Sequence, residues 1–228
     1  MAGIAHEIKS PLSGISTAAQ VLREQLEPTD KRREVLGEIL KQIDRLRNTV
    51  DDFLHFAKPR KPRLSNENLN NIVERIFFFI NGQIRTQGIT MQKEYASDLP
   101  PVRVDAEQMQ QVFFGLALNA IQAMPTGGVL RVATEMETNE VSPNGHVKVI
   151  FEDTGTGILR EHMKSIFEPF FTTRSSGTGL GLSIVRRILH DHNSTIAVES
   201  EAGKGTRFTI TIPIADYAET TEMPEVNV

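Results

Sequence analysis

Two heptad seams in succession constrain this chain more than any other feature. Ile8, Leu12, Ile15, Ala19, Leu22 and Leu26 recur at spacings of 4, 3, 4, 3 and 4. Leu36, Ile39, Ile43, Leu46, Val50, Phe53 and Ala57 recur at 3, 4, 3, 4, 3 and 4. Such a repeat lays apolar side chains along one narrow stripe of an α-helix, and only another helix can bury that stripe. Between the seams lies Glu27-Pro28-Thr29-Asp30, a breaker in which Thr29 or Asp30 can cap the next helix. Residues 1–58 therefore read as an antiparallel α-helical hairpin. Two helices enclose no core by themselves, so the seams predict two hairpins paired into a four-helix bundle, a homodimer.

His6 falls about 160° around the first helix from the seam centre, and Ser10, one turn on, shares its face. The imidazole is thus expected to point at solvent, within reach of another domain or protein. Pro11 has no N–H, so the Glu7 carbonyl loses its helical partner and a kink is predicted beside the histidine. A lone surface histidine is ordinarily just a solvated side chain. A zinc reading fails, because H-E-x-x-H needs a second histidine where this chain has Ser10.

Composition narrows the classes. With 228 residues, 39% hydrophobic and 24% charged, the chain is expected to be globular, as one large domain or two ordinary ones. No apolar run approaches the roughly 18 residues needed to span a bilayer, and the N-terminus lacks signal-peptide order. No membrane contact by this segment is expected. The chain has no cysteine, which rules out disulfide and thiolate chemistry and fits a reducing, cytoplasmic setting. A net charge of −4 argues against nucleic acid as a partner. The cluster Lys58-Pro59-Arg60-Lys61-Pro62-Arg63 is read as a solvated linker over 59–64 rather than a basic binding patch.

Beyond it the pattern changes. Leu69 to about Gln87 predicts a helix closed by Gly88, and Phe77-Phe78-Phe79-Ile80 makes it apolar on nearly every side, as if buried against a sheet. Ile89–Tyr95 and Val102–Val104 predict short strands. A helix follows from Ala106 to Met124 with Asp105 as its N-cap. Val129–Glu137 and His146–Glu152 read as strands around a Ser142-Pro143-Asn144-Gly145 turn. Leu180–His190 reads as a helix. Thr195–Ser200 and Thr206–Ile214 form a hairpin around Gly203-Lys204-Gly205. Hairpin-linked strands interleaved with helices favour an α+β sandwich over 65–214. Residues 215–228, acidic and poor in large apolar groups, are expected to be a disordered tail.

Asp153-Thr154-Gly155-Thr156-Gly157 directly follows a strand, and Gly177-Thr178-Gly179-Leu180-Gly181 opens a helix. Glycines let backbone N–H groups crowd an anion, and a helix N-terminus adds partial positive charge, so the second stretch suits a polyphosphate. Either stretch alone is as often a tight turn as a ligand loop. Lys164–Ser176, without a clear period, reads as a mobile lid. Asn119 sits among Leu116, Ala117, Leu118, Ile121 and Ala123. There its amide needs a partner, either a local hydrogen bond or Mg²⁺.

Taken in order, these residues resemble the H, N, G1, F and G2 boxes of the sensor histidine kinases of bacterial two-component systems. The stretches are His6-Glu7-x-x-Ser10-Pro11, the helix around Asn119, Asp153-x-Gly155-x-Gly157, Phe167-Glu168-Pro169-Phe170-Phe171 and Gly177-x-Gly179-x-Gly181. The resemblance covers about residues 1–214, and five ordered boxes are specific where one is not. It implies a dimerisation and phosphotransfer hairpin followed by an ATP-binding domain of the Bergerat (GHKL) fold. An input sensor would lie upstream, with a membrane anchor open for the full-length protein. It further implies that His6 is the phosphoacceptor, that Glu7 takes its proton, and that Asn119 ligates Mg²⁺. Asp153 would accept the adenine amino group, Gly155 and Gly157 would permit close approach, and Gly177, Gly179 and Gly181 would wrap the phosphates. Thr206 could reach adenine through water, and Arg174 could touch a phosphate or form a salt bridge elsewhere. The implied partner is the receiver domain of a response regulator.

Three positions depart from the family pattern. Gly115 stands where a first N-box asparagine is frequent, and Ala123 where a larger side chain is common. Ser10 stands where Thr or Asn usually positions the dephosphorylating water, so phosphatase activity is the function it bears on. A gyrase-type or chaperone-type ATPase is the enzymatic rival, and the first 58 residues count against it. A degenerate, scaffolding kinase is the other rival, and the retained Asn119, Asp153 and glycines count against that.

Overall fold

The computed structural model describes residues 2–57, 60–139, 142–174 and 177–214, with side chains described for 10–47, 50, 60–138, 145–174 and 177–214. Its contacts divide the chain into two units, Met1–Arg60 with Glu168–Gly181, and Lys61–Phe167 with Leu182–Val228. The acidic tail lies outside the described residues, as do Lys58 and Pro59 of the linker.

In the first unit, α1 (Ala2–Gln25) and α2 (Arg32–Ala57) pack on each other. Helix α1 runs unbroken through Pro11. The Asp30 carboxylate accepts the Arg32 N–H at 2.8 Å and so caps the start of α2. Arg33 then reaches back to donate to the carbonyls of Arg23 and Leu26, at 2.9 and 2.7 Å, which α1 leaves without helical partners. Ser16, Ala19, Leu40 and Ile43 are buried. Ile15, Leu22, Val35, Ile39 and Leu46 remain 41–61% exposed. The seams therefore split: part faces the neighbouring helix, and part forms a second apolar stripe that the hairpin leaves uncovered.

The second unit begins with β1 (Ser65–Glu67), followed by α3 (Leu69–Thr86), β2 (Ile89–Tyr95), β3 (Val102–Val104) and α4 (Ala106–Ala123). Next come β4 (Gly128–Asn139), β5 (Ser142–Asp153), α5 (Gly181–Asp191), β6 (Thr195–Glu201) and β7 (Gly205–Pro213). A five-stranded sheet runs in the order β2-β4-β5-β7-β6, with β2 parallel to β4 and every other neighbour antiparallel. Strands β1 and β3 form a separate antiparallel pair. Asn68 caps α3 and Asp105 caps α4, the latter accepting the Gln108 N–H at 3.1 Å. Phe113 of α4 meets Phe151 of β5, ring centroids 5.8 Å apart, so the helical layer lies on the sheet's inner face. This is the α+β sandwich.

Three details differ from the sequence reading. Phe77 and Ile80 are buried, but Phe78 and Phe79 are 83% and 73% exposed. Consecutive residues are turned about 100° apart on a helix, so an apolar run of four cannot all face one sheet. The Ser142-Pro143-Asn144-Gly145 stretch is not the hairpin turn but belongs to β5: Asn139 pairs with Ser142 and Glu137 with His146. Three residues of β5 thus oppose one of β4, a bulge in which Gly145 adopts φ +76°. The same Pro-Asn-Gly chemistry serves a turn and a bulge, which is why periodicity misplaced it. Strand β1 is a polar triplet without alternation, and sequence reasoning passed over it.

The sheet's outer face carries a row of alternating charge. Arg131 of β4 bonds Glu94 of β2 at 2.6 Å and Glu152 of β5 at 3.1 Å. Arg207 of β7 bonds Glu152 at 2.9 Å and comes within 4.0 Å of Glu199 on β6. Burial pushes the Glu152 carboxyl up, but its bonds from Arg207 and Arg131 outweigh this and hold it below the ordinary range. The Arg131 bond likewise lowers Glu94.

Candidate functional site

Strand β5 ends at Asp153, 5% exposed, directly opposite Thr206 of β7, 6% exposed. Their side chains lie on the sheet's inner side, because the neighbouring Glu152 and Arg207 point outward. One Asp153 carboxylate oxygen accepts the Gly155 N–H at 2.8 Å, which turns the chain sharply away from the strand. The loop that follows is clamped at three places. Val129 N–H donates to the Thr154 hydroxyl at 2.9 Å, while Thr154 N–H returns to the Val129 carbonyl at 3.2 Å. Thr156 N–H donates to the Ala123 carbonyl at 3.0 Å, and Gly203 N–H to the Thr156 carbonyl at 2.8 Å.

Glycine is needed here for approach as well as conformation. A Cβ on Gly155 would lie 2.6 Å from the Ala123 carbonyl oxygen. Gly157 has φ +65° and abuts the Glu201 carbonyl, and Gly205 has φ +110° and abuts the Asp153 carbonyl. Backbone thus packs on backbone around a buried carboxylate.

Asn119 is half-buried on α4, with Leu116, Ala120 and Ile121 buried around it. Its oxygen is a hard, neutral donor of the kind Mg²⁺ accepts beside phosphates and water. Among the described residues no group of three or more His, Cys, Asp or Glu could hold a metal ion. A Cβ on Gly115 would lie 3.4 Å from Val185 of α5, an ordinary contact, so the backbone here has room for a small side chain. Ala123 keeps the α4 C-terminus small where Gly155 presses on it.

The remaining candidates fall in the first unit. Gly179 has φ +69° and abuts the backbone of Phe170, which itself has φ +67°. A left-handed phenylalanine is rare enough to mark this segment as held by its surroundings. A Cβ on Gly177 would lie 2.5 Å from the Thr172 hydroxyl, whereas Gly181 has open space. The exposed Arg174 takes its backbone N–H to the Thr172 hydroxyl at 3.1 Å. Ser10 is exposed on α1, which also contains His6 and Glu7, but the side chains of His6 and Glu7 lie outside the described residues. The structure thus brings Asp153, Gly155, Gly157 and Thr206 together at one end of the sheet.

Ser200 was missed. Its hydroxyl accepts the Ile158 N–H at 2.9 Å and contacts the Gly205 carbonyl at 2.8 Å and the Thr206 hydroxyl at 2.9 Å. The available signal was a polar residue continuing the Ile196, Val198 alternation on the inward side of β6.

Comparison with known proteins accounts for the arrangement. Residues 1–62 match the His Kinase A (phospho-acceptor) domain. Residues 104–216 match the histidine kinase-, DNA gyrase B- and HSP90-like ATPase family. Sporulation kinase E of Bacillus subtilis (strain 168) is 34% identical over 96% of this chain, which spans 29% of that protein's length. A crystal structure of full-length ShkA in complex with AMPPNP aligns at TM-score 0.75 and 26% identity, over 94% of this chain and 45% of that one. The histidine kinase ThkA, in complex with the response regulator protein TrrA, aligns at TM-score 0.69 and 28% identity, over 94% of this chain and 60% of that one. With a phosphoacceptor domain ahead of a GHKL ATPase domain, the chain belongs to the bacterial sensor histidine kinases.

No described helix is long and apolar enough to cross a membrane.

Proposed function

We propose that a homodimer of this chain phosphorylates His6 from ATP and then passes the phosphoryl group to an aspartate of a response regulator's receiver domain. The observation carrying this reading is the buried Asp153, pinned by the Gly155 N–H beside Thr206, in a chain that begins with a phosphoacceptor-type helix. A buried carboxylate at the end of a sheet is a selective acceptor for an exocyclic amino group, and adenine presents one where guanine presents a carbonyl. Gly155 and Gly157 let the base approach the backbone, while Gly177, Gly179 and Gly181, with Arg174, receive the phosphates.

Asn119 would hold Mg²⁺ through its amide oxygen. The bound ion would neutralise charge on the phosphates. Neutral His6 attacks the γ-phosphorus through Nε2, forming an N–P bond as the bond to the bridging oxygen of ADP breaks. Glu7, the next residue on α1, accepts the proton from Nδ1. Dimerisation is supported by the uncovered stripe of Ile15, Leu22, Val35, Ile39 and Leu46. The regulator as partner is supported by the likeness to ThkA, which was solved with one. Phosphatase activity towards the phosphorylated regulator would rest on Ser10, one turn from His6.

The test is acid-labile ³²P labelling from γ-labelled ATP. The wild-type chain should take up label that acid removes and alkali does not, and His6→Gln should take up none. Label retained in His6→Gln would overturn the assignment of the acceptor.

A further inference from the structure

We infer that Ser200 is a positioning residue for base selection, because it fixes which way the Thr206 hydroxyl points its proton beside Asp153. This rests on the reading of Asp153 as the adenine acceptor.

The Ser200 hydroxyl has one proton. The Gly205 carbonyl, 2.8 Å away, has none to give, so Ser200 donates there. Ser200 also accepts the Ile158 N–H at 2.9 Å. Its contact with Thr206 Oγ1 at 2.9 Å therefore needs the Thr206 proton. That leaves Thr206 able only to accept from any further partner. Asp153 and Thr206 stand opposite each other on β5 and β7, both almost wholly buried. The base edge thus meets a carboxylate and a hydroxyl that are both acceptors.

An amino group, or a water that donates, satisfies such a pair. A base with a carbonyl at that position meets two acceptors and loses its own hydrogen bond. Without Ser200 the Thr206 hydroxyl would be free to turn and donate to that carbonyl, or to a water beside it. Ser200 also ties Ile158, just past the glycine loop, to the β6–β7 hairpin. A purely mechanical brace would affect all nucleotides alike, whereas a Thr206 proton committed to Ser200 affects them unequally.

The experiment measures ATP and ITP affinity by calorimetry on the whole chain, since inosine carries a carbonyl in place of the adenine amino group. Ser200→Ala should lower the ATP-over-ITP preference about three- to tenfold, the scale of one hydrogen bond. Ser200→Thr, which keeps a hydroxyl, should restore the preference. Equal weakening of both nucleotides, or no change in either, would overturn the inference. Thr206→Val leaves the Ser200 bonds to Ile158 and Gly205 intact and guards against a misfolded Ser200 variant. It should shift the same ratio, and adding Ser200→Ala to it should shift the ratio no further. Asp153→Asn run in parallel separates the failures. If it leaves ATP affinity unchanged, the adenine site lies elsewhere; if it weakens ATP while the Ser200 and Thr206 variants keep the preference, only the role of Ser200 falls.

Discussion

At the scale of single residues, Asp153 has most to lose. On the proposed adenine site, Asp153→Asn exchanges a charged acceptor for an amide whose NH₂ would meet the adenine amino group. The expected cost in ATP binding is roughly 1.5–3 kcal/mol, the range for a hydrogen bond to a charged group, read as the change in Kd by calorimetry. Glu7→Gln tests a different step. Gln can still accept the imidazole N–H but cannot take the proton, so the single-turnover rate at saturating ATP should fall by ~10²–10⁴-fold. Dimerisation and ATP affinity should persist, and a normal rate would mean that the proton leaves directly to water. The Asp153 loop was legible because glycine after a strand is a chemical signal in itself. Ser200 was not, because one serine in a strand says nothing until the fold sets it against Ile158, Gly205 and Thr206.

At the scale of elements, the caps read most directly. Asp30 and Asp105 both use their carboxylates as the sequence suggests, since a short acceptor ahead of an apolar period has few other uses. Strand limits read less well. Pro143, Asn144 and Gly145 carry turn chemistry, yet the fold spends them inside β5, because register with β4 is set by long-range pairing. The β6–β7 turn offers a matched comparison. Gly203 and Gly205 both have positive φ, but Gly203 has open space while Gly205 presses on the Asp153 carbonyl. Gly203→Ala should cost about 1 kcal/mol of stability from its backbone alone. Gly205→Ala should cost at least a further ~1–3 kcal/mol and displace the carboxylate, lowering both the melting temperature and ATP affinity. Equal effects of the two changes on thermal unfolding would show that the hairpin yields easily.

At the scale of the whole molecule, the heptad seams forecast a hairpin that cannot finish its own core. Periodicity did not foretell how they divide, with Ala19 and Ile43 inward and Ile15, Leu22, Ile39 and Leu46 open, because that depends on the rotation of each helix. Ile39→Lys should turn a dimer into a monomer by light scattering and leave ATP affinity intact. A persistent dimer would place the interface elsewhere. The charged row predicts an acid limb to stability. Glu94 and Glu152 titrate below their ordinary range when folded, so their contribution is present above the unfolded carboxylate pKa. It is lost as pH falls below about 4.5 and through the folded values. Glu152→Gln should flatten the fall of melting temperature over that range, and an unchanged slope would mean that the row contributes nothing.

That row has two ends, and both are acids: Glu94 on β2 and Glu199 on β6, the two outermost strands. An outermost strand has unsatisfied backbone groups and can recruit a second sheet. Here two sheets approaching side by side would press carboxylate against carboxylate, whichever edges met. On the reading proposed above, in which the chain pairs through its helices, the strands are thereby kept from competing, and polymerisation into fibres is opposed by the same charges that knit the sheet together.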